Sequence, residues 1–317
     1  MSKKLSKQQQ RRIAEQHDSK LGDQHHDHAA IVVAHMGYQT IVDDQGTLLA
    51  ADWRKSLGDI AVNDRVRISK TDATHAVIEA IHPRQQTLYK WQGRKPRAVA
   101  SHVAQLLVVI AAKPQWQSGL IDRYLIAAYE AGISVAIACN KLDLLDEAAQ
   151  NDWQQELAAY HQLNYTLFPL SVHQSEGIDA LKTWLDNKET VICGQSGVGK
   201  SSLIRTLVPD SDIWVQSLSE VTNLGRHTTT NSRRYPLPGG GAVIDTPGVR
   251  GFAVTHLTRE DIICGFRDIA PFVGQCRFSN CSHQHEPDCA VLEAVNKEQI
   301  SAARYHSMMQ ILEEHPS

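Results

Sequence analysis

The chain has 317 residues, 42 % hydrophobic and 21 % charged, with a formal net charge of -3. That composition excludes a disordered chain, and its most apolar run, residues 106–112, is far too short to span a membrane. The small net charge excludes a uniformly basic nucleic-acid binder but not a local basic patch.

Residues 1–30 are polar and lean basic, because Lys3, Lys4, Lys7, Arg11, Arg12 and Lys20 outnumber Glu15, Asp18, Asp23 and Asp27. A flexible tail is expected there. No apolar stretch follows these charges as in a secretory signal, so the cytoplasm is the expected location. Six cysteines in such a chain point to metal or core roles rather than to a disulfide framework.

Residues 31–102 carry short alternating runs, IVVAHM, QTIVDD, TLLAAD, RVRISK, HAVIEAI and QTLYKW, with turn signals at Gly37, Gly46 and Gly58. About five short strands over this length predict a small barrel of the oligonucleotide-binding type. Its surface offers Arg54, Lys55, Arg65, Arg67, Lys70, Arg84, Lys90, Arg94, Lys95 and Arg97, interleaved with Tyr89 and Trp91. Positive charge with aromatic faces suits RNA.

Residues 103–252 alternate strand-like and helical runs. QLLVVIAA, SVAIAC, TLFPL, ETVICG and AVIDTPG read as strands. GLIDRYLIAAYEAG, LLDEAAQNDWQQELAAYHQL, GIDALKTWLDN and KSSLIRTLV read as helices. This rhythm predicts an α/β domain with a mostly parallel sheet.

Four motifs sit at the loops of that domain. Asn140-Lys141-Leu142-Asp143 follows SVAIAC and looks like a guanine-specificity motif. The Asp143 carboxylate can accept from the N1–H and 2-amino group of guanine, a pattern adenine lacks. The Asn140 amide can brace the phosphate loop, and the Lys141 stem can lie along the base. Ser171 and Val172, after TLFPL, resemble a companion base-contacting loop in which Val172 replaces the usual alanine.

Gly194, Gln195, Ser196, Gly197, Val198, Gly199, Lys200 and Ser201 fit GxxxxGKS between a strand and a helix, and Ser202 follows in the first helical turn. Such a loop wraps phosphates with backbone amides at a helix N-terminus. Lys200 should bridge the β- and γ-phosphates, and the Ser201 hydroxyl should ligate Mg²⁺. The run Gly225-Arg226-His227-Thr228-Thr229-Thr230 takes the switch I position. Thr229 is the preferred second magnesium ligand among its neighbours. Asp245-Thr246-Pro247-Gly248 resembles the switch II motif. Asp245 should hold a magnesium-bound water, and the Gly248 amide should meet the γ-phosphate.

The base-reading motif precedes the phosphate loop, the reverse of the usual order in small GTPases. A sheet domain tolerates such a circular permutation when its old ends lie close together. Switch II then leads directly into the C-terminal segment.

Residues 253–317 contain Cys276, Cys281, His283 and Cys289, spaced C-x4-C-x-H-x5-C, with His285 as an alternative imidazole. Three thiolates and an imidazole can close a structural zinc site. Cys264, in the apolar run IICGF, is expected to be core, as are Cys139 and Cys193 at strand ends.

The permuted order, the GRHTTT run, DTPGVRGF at 245–252 and the cysteine knot together resemble the ribosome small subunit-dependent GTPase A family, from about residue 31 onward. The resemblance implies an oligonucleotide-binding barrel, a permuted GTPase and a helical zinc domain. It favours His283 as the imidazole ligand of one Zn²⁺ per chain. It also implies hydrolysis of Mg²⁺-bound GTP, stimulated by the small ribosomal subunit during its late maturation, with that subunit and its rRNA as partners. Val249 stands where many GTPases carry a water-orienting glutamine. His227 therefore becomes the candidate to orient the water, as the resemblance suggests, unless the partner does so. A monomer is expected.

Overall fold

The computed structural model describes residues 29–36, 39–92, 95–114, 118–222, 232–247, 252, 254 and 257–314. Five strands close the N-terminal barrel: β1 (Ala30–Met36), β2 (Gln39–Asp44), β3 (Thr47–Trp53), β4 (Arg65–Lys70) and β5 (His75–Ile81). They run in the order β1-β2-β3-β5-β4, and β4 returns to β1 through Ala30↔Val66 and Ile31↔Arg65. Alternation drives the closure. Leu49 and Ala51 of β3 point into the core with Val32, Val42, Val66 and Ile78, while Asp52 faces water. The β2–β3 turn places Gln45 and Gly46 at φ 55° and 88°, the left-handed pair that a two-residue hairpin loop requires.

The sixth strand-like run does not join the barrel. It forms β6 (Leu88–Gln92), paired only with β7 (Lys95–Ala100) in a separate hairpin. The apolar pattern explains this, because Leu88, Val99 and Ala100 pack into the core of the next domain instead of the barrel.

That domain is built on β8 (Gln105–Ala111), β9 (Ser134–Asn140), β10 (Thr166–Pro169), β11 (Lys188–Cys193), β12 (Ser232–Pro236) and β13 (Gly241–Asp245). The order is β10-β9-β8-β11-β13-β12, parallel except for β12. Central β8 is buried along its whole length. Leu106, Val108 and Ile110 feed one core layer, and Leu107, Val109 and Ala111 feed the other, as the two-residue period of a strand demands. The helices are α1 (Ser118–Glu130), α2 (Glu147–Gln162), α3 (Ile178–Leu185), α4 (Lys200–Leu207) and α5 (Ser211–Thr222).

Two elements fasten the barrel to this domain. Strand β12 pairs with β1 through Ala34↔Arg233 and His35↔Ser232. Helix α5 sets Leu218, Trp214 and Val221 against Val33, Ala34 and Ile41 of the barrel wall.

The C-terminal segment is helical: α6 (Arg259–Cys264), α7 (Ala270–Val273), α8 (Ala290–Asn296) and α9 (Ala302–Glu313). Thr258 and Asp261 start α6 with a reciprocal capping box. Phe266, Ile269, Val291 and Met308 pack into the same core layer as Tyr124 and Tyr160 of α1 and α2. Cys139 and Cys193 are buried as packing residues, but Cys264 is exposed, against the expectation of a core position. Ile262 and Ile263 fill the inward arc of that short helix, which turns Cys264 to solvent. Among the described residues, no helix is long and apolar enough to cross a membrane.

Candidate nucleotide and metal sites

The phosphate loop leaves the C-terminal end of β11 and enters α4. Two of its glycines answer to close neighbours. A Cβ on Gly194, at φ 140°, would lie 2.1 Å from the Val109 carbonyl oxygen, and one on Gly199 would lie 2.3 Å from Asn140 Nδ2. Both backbones have no room for a side chain.

Asn140 ends β9, is 2 % exposed, and joins three loops. Its Nδ2 donates to the Val198 carbonyl at 2.9 Å, and its Oδ1 accepts from the Val172 amide at 3.2 Å. Lys141 adopts the left-handed conformation at φ 66°. Its Nζ reaches the Gly197 carbonyl at 2.6 Å and the Lys113 carbonyl at 3.0 Å. Asp143 Oδ1 accepts from the Ser171 hydroxyl at 2.7 Å, and Ser171 Oγ in turn accepts from the Gln174 amide. The loops at 140–143 and 171–174 and the phosphate loop are thus tied together.

Lys200 Nζ donates to the carbonyls of Gly194 and Gln195, both at 2.7 Å, within the curl of the loop. Burial lowers its pKa, and the Asp245 charge partly restores it. Asp245 pairs in register with Ile192 of β11 and with Arg233 of β12. Burial raises its pKa, which the charges of Lys200 and Arg233 offset in part. Asp245 Oδ1 and Thr246 Oγ1 are buried without a hydrogen-bond partner among the described residues. An orphaned carboxylate oxygen fits a hydrated Mg²⁺, and the exposed Ser201 in the first turn of α4 carries a hydroxyl that could serve such an ion. Gln195, Ser196 and Ser202 lie on the loop and that first turn. His227, Thr229 and Gly248 lie outside the described residues, as do Arg226, Val249 and Arg250.

In the C-terminal segment, ligand atoms of Cys276, Cys281, His283 and Cys289 all lie within 4.8 Å of one another, so the cluster could hold a metal ion. His285 is exposed and outside it. The loop is fixed from several sides. Arg259 donates to the Ser282 carbonyl, Tyr305 donates to the His283 carbonyl at 2.7 Å, and the Glu286 carboxylate accepts from three loop amides.

On the barrel, Arg54, Lys55 and Arg65 are exposed, as is Lys95 on the separate β6–β7 hairpin. Arg84 is committed elsewhere, donating twice at 2.7 Å to the buried Asp64, so it is a structural cation and not part of a free basic surface. Lys70 pairs with Asp44 at 2.7 Å. Arg94 lies outside the described residues.

Sequence reasoning missed Lys113 and Tyr124, both of which touch the phosphate-loop assembly. Lys113 acts through its carbonyl, which carries no residue signal. Tyr124 sits at an apolar helical position that reads as core.

The RsgA GTPase family model matches residues 81–255. The chain is 52 % identical over 311 residues, 98 % of each chain, to "Small ribosomal subunit biogenesis GTPase RsgA" of Dichelobacter nodosus. It is 39 % identical to the protein of the same name from Ectopseudomonas mendocina, covering 92 % of this chain and 87 % of that one. The crystal structure of YjeQ from Thermotoga maritima superposes with a TM-score of 0.70 at 29 % identity, over 90 % of this chain and 98 % of that one. That of YloQ, described as a circularly permuted GTPase, does so with a TM-score of 0.66 at 23 % identity, over 93 % and 99 %.

Proposed function

The chain belongs to the RsgA GTPase family and is a GTP-hydrolysing enzyme, and on that premise we propose that it couples hydrolysis of GTP to GDP and phosphate to late maturation of the small ribosomal subunit, which stimulates its turnover. The carrying observation is the linkage of Asp143 and Asn140 to the phosphate loop in one site. Asp143, seconded by Ser171 and Val172, selects guanine. The amides of residues 194–202, Lys200 and the α4 N-terminus hold the phosphates. Ser201 and Thr229 would ligate the Mg²⁺ that comes with GTP, Asp245 would hold its water, and the Gly248 amide would meet the γ-phosphate; bound there, the ion would screen the phosphate charge.

His227 orients the attacking water. Alignment of that kind supplies much of the acceleration in phosphoryl transfer. The barrel and its exposed arginines and lysines contact rRNA, the cysteine cluster holds one Zn²⁺, and the protein works as a cytoplasmic monomer. The donor set and its spacing support zinc. A tetrahedron with Zn–S bonds near 2.3 Å has ligand atoms about 3.5–3.8 Å apart; Cys276, His283 and Cys289 lie 3.5, 3.6 and 3.9 Å from one another, and all four ligand atoms, that of Cys281 included, fall within 4.8 Å.

The test is GTP turnover with purified small subunits, large subunits and free RNA, alongside His227→Ala. Stimulation confined to small subunits is expected. The variant should bind GTP and subunit normally but lose the stimulated single-turnover rate. Equal stimulation by all three additions refutes the assignment of partner. A normal rate for the variant at saturating subunit moves the water-orienting group to the partner.

A further inference from the structure

Tyr124 is fully buried, on the face of α1 that also buries Ile121, Leu125 and Ala128. Such a position calls only for an apolar ring. Here, however, Tyr124 and Gly194 line one small cavity, where the hydroxyl accepts a hydrogen bond from the Gly194 amide, and Gly194 opens the phosphate loop. The ring meets Phe252 edge-on, with centroids 5.6 Å apart and planes at 70°. Phe252 is itself buried, on the segment that leaves Asp245 for the C-terminal helices. One side chain therefore touches the start of the phosphate loop and the segment beyond switch II.

We propose that Tyr124 is a positioning residue for nucleotide binding, fixing the first peptide of the phosphate loop through its hydroxyl and tying it to the switch II exit through its ring. The inference rests on the reading of residues 194–202 as the phosphate loop.

The physical case starts at Gly194. Its φ of 140° and the 2.1 Å approach of the Val109 carbonyl to a built Cβ leave this peptide little freedom to turn. Gly194 is half-buried, and removing the partner of an amide shielded from water costs up to about 1–3 kcal/mol unless the backbone moves to find another. Any such movement displaces the amides that follow, which are those that cradle phosphates. Burial raises the Tyr124 pKa, so the phenol stays neutral and the bond does not titrate near neutral pH. The edge-on ring pair adds about 0.5–1.5 kcal/mol beyond its area, enough to couple the positions of the two segments.

The test compares Tyr124→Phe with Tyr160→Phe in the full chain, well below the melting temperature. Tyr160 is an equally buried tyrosine whose hydroxyl donates to Asp122 at 3.0 Å and does not serve the loop. Both variants should lower Tm. Only Tyr124→Phe should weaken GTP and GDP alike, by about three- to tenfold in Kd and KM, the range of one hydrogen bond, with kcat little changed. Hydrogen exchange at the Gly194 amide should be slow in the parent and fast in Tyr124→Phe. Parent-like nucleotide affinity in Tyr124→Phe, an equal affinity loss in Tyr160→Phe, or rapid exchange at Gly194 in the parent each overturns the proposal. Lys200→Ala separates the two layers of the argument. If that variant binds and hydrolyses GTP like the parent, the phosphate-loop reading itself fails, whatever Tyr124 does.

Discussion

Asp143 has two carboxylate oxygens, and one is already occupied by the Ser171 hydroxyl. Asp143→Asn keeps an acceptor for Ser171 but turns the other end from acceptor to donor. GTP affinity should then fall by about tenfold or more, the worth of a charge-assisted hydrogen bond, while xanthosine triphosphate, which carries a carbonyl in place of the 2-amino group, should gain. Competition binding with GTP, xanthosine triphosphate and ATP reads this directly, and equal affinity of the parent for GTP and ATP would end the assignment. In the proposed mechanism, Asp245 and Lys200 set the pH dependence. Burial raises the first above its ordinary 3.8 and lowers the second below its ordinary 10.5, and the proposed mechanism needs both charged. The kcat/KM of the free enzyme should fall on the acid side through a midpoint above 3.8 and on the alkaline side through one below 10.5. Asp245→Asn should abolish the acid limb of whatever activity remains. An unchanged acid limb in that variant would assign it to another group.

At the scale of elements, α5 and β12 matter because they flank residues 223–231 and both hold the barrel. Trp214 Nε1 donates to the Arg234 carbonyl at 2.8 Å, joining the two. Leu218 is 1 % exposed at the centre of this seam. Leu218→Ala should cost about 2–5 kcal/mol through lost burial and a residual cavity. If the barrel's grip conditions the switch, the variant should lose subunit-stimulated turnover more than basal turnover, and Leu218→Met should restore both. Equal loss of the two rates would show that the seam only stabilises. Neither attachment was legible in the sequence. The apolar residues of α5 at Trp214, Leu218 and Val221 mark a buried face but do not say against what. Which of the six strand-like runs stands outside the five-stranded barrel was not legible either, since alternation reports that one face is buried without identifying the partner.

At the scale of the whole molecule, Arg304 of α9 fastens the C-terminal segment to the GTPase. It donates to Asp122 of α1 and, at 3.0 and 2.8 Å, to Asp268, and its guanidinium lies over the rings of Tyr160 and Phe266. Arg304→Met would strand two carboxylates, one fully buried, at a cost of about 3–5 kcal/mol. Limited proteolysis should then cut the C-terminal segment first, with GTP binding retained. Unchanged protease resistance would mean that the shared apolar core alone holds the segment.

The GxxxxGKS and NKLD motifs, the cysteine cluster and the sheet rhythm could be read from the sequence itself, because each depends on residue type at short spacing. A GxxxxGKS loop or a C-x4-C-x-H run carries its chemistry within a few residues. The tertiary structure alone decided which groups meet across long separations. It brought Asn140 to Val198, Tyr124 to Gly194 and Arg304 to Asp122, and took Arg84 out of the basic surface by giving it Asp64. Such pairings follow from how strands are ordered and helices packed, and burial patterns along a chain state only that a face is covered, not what covers it.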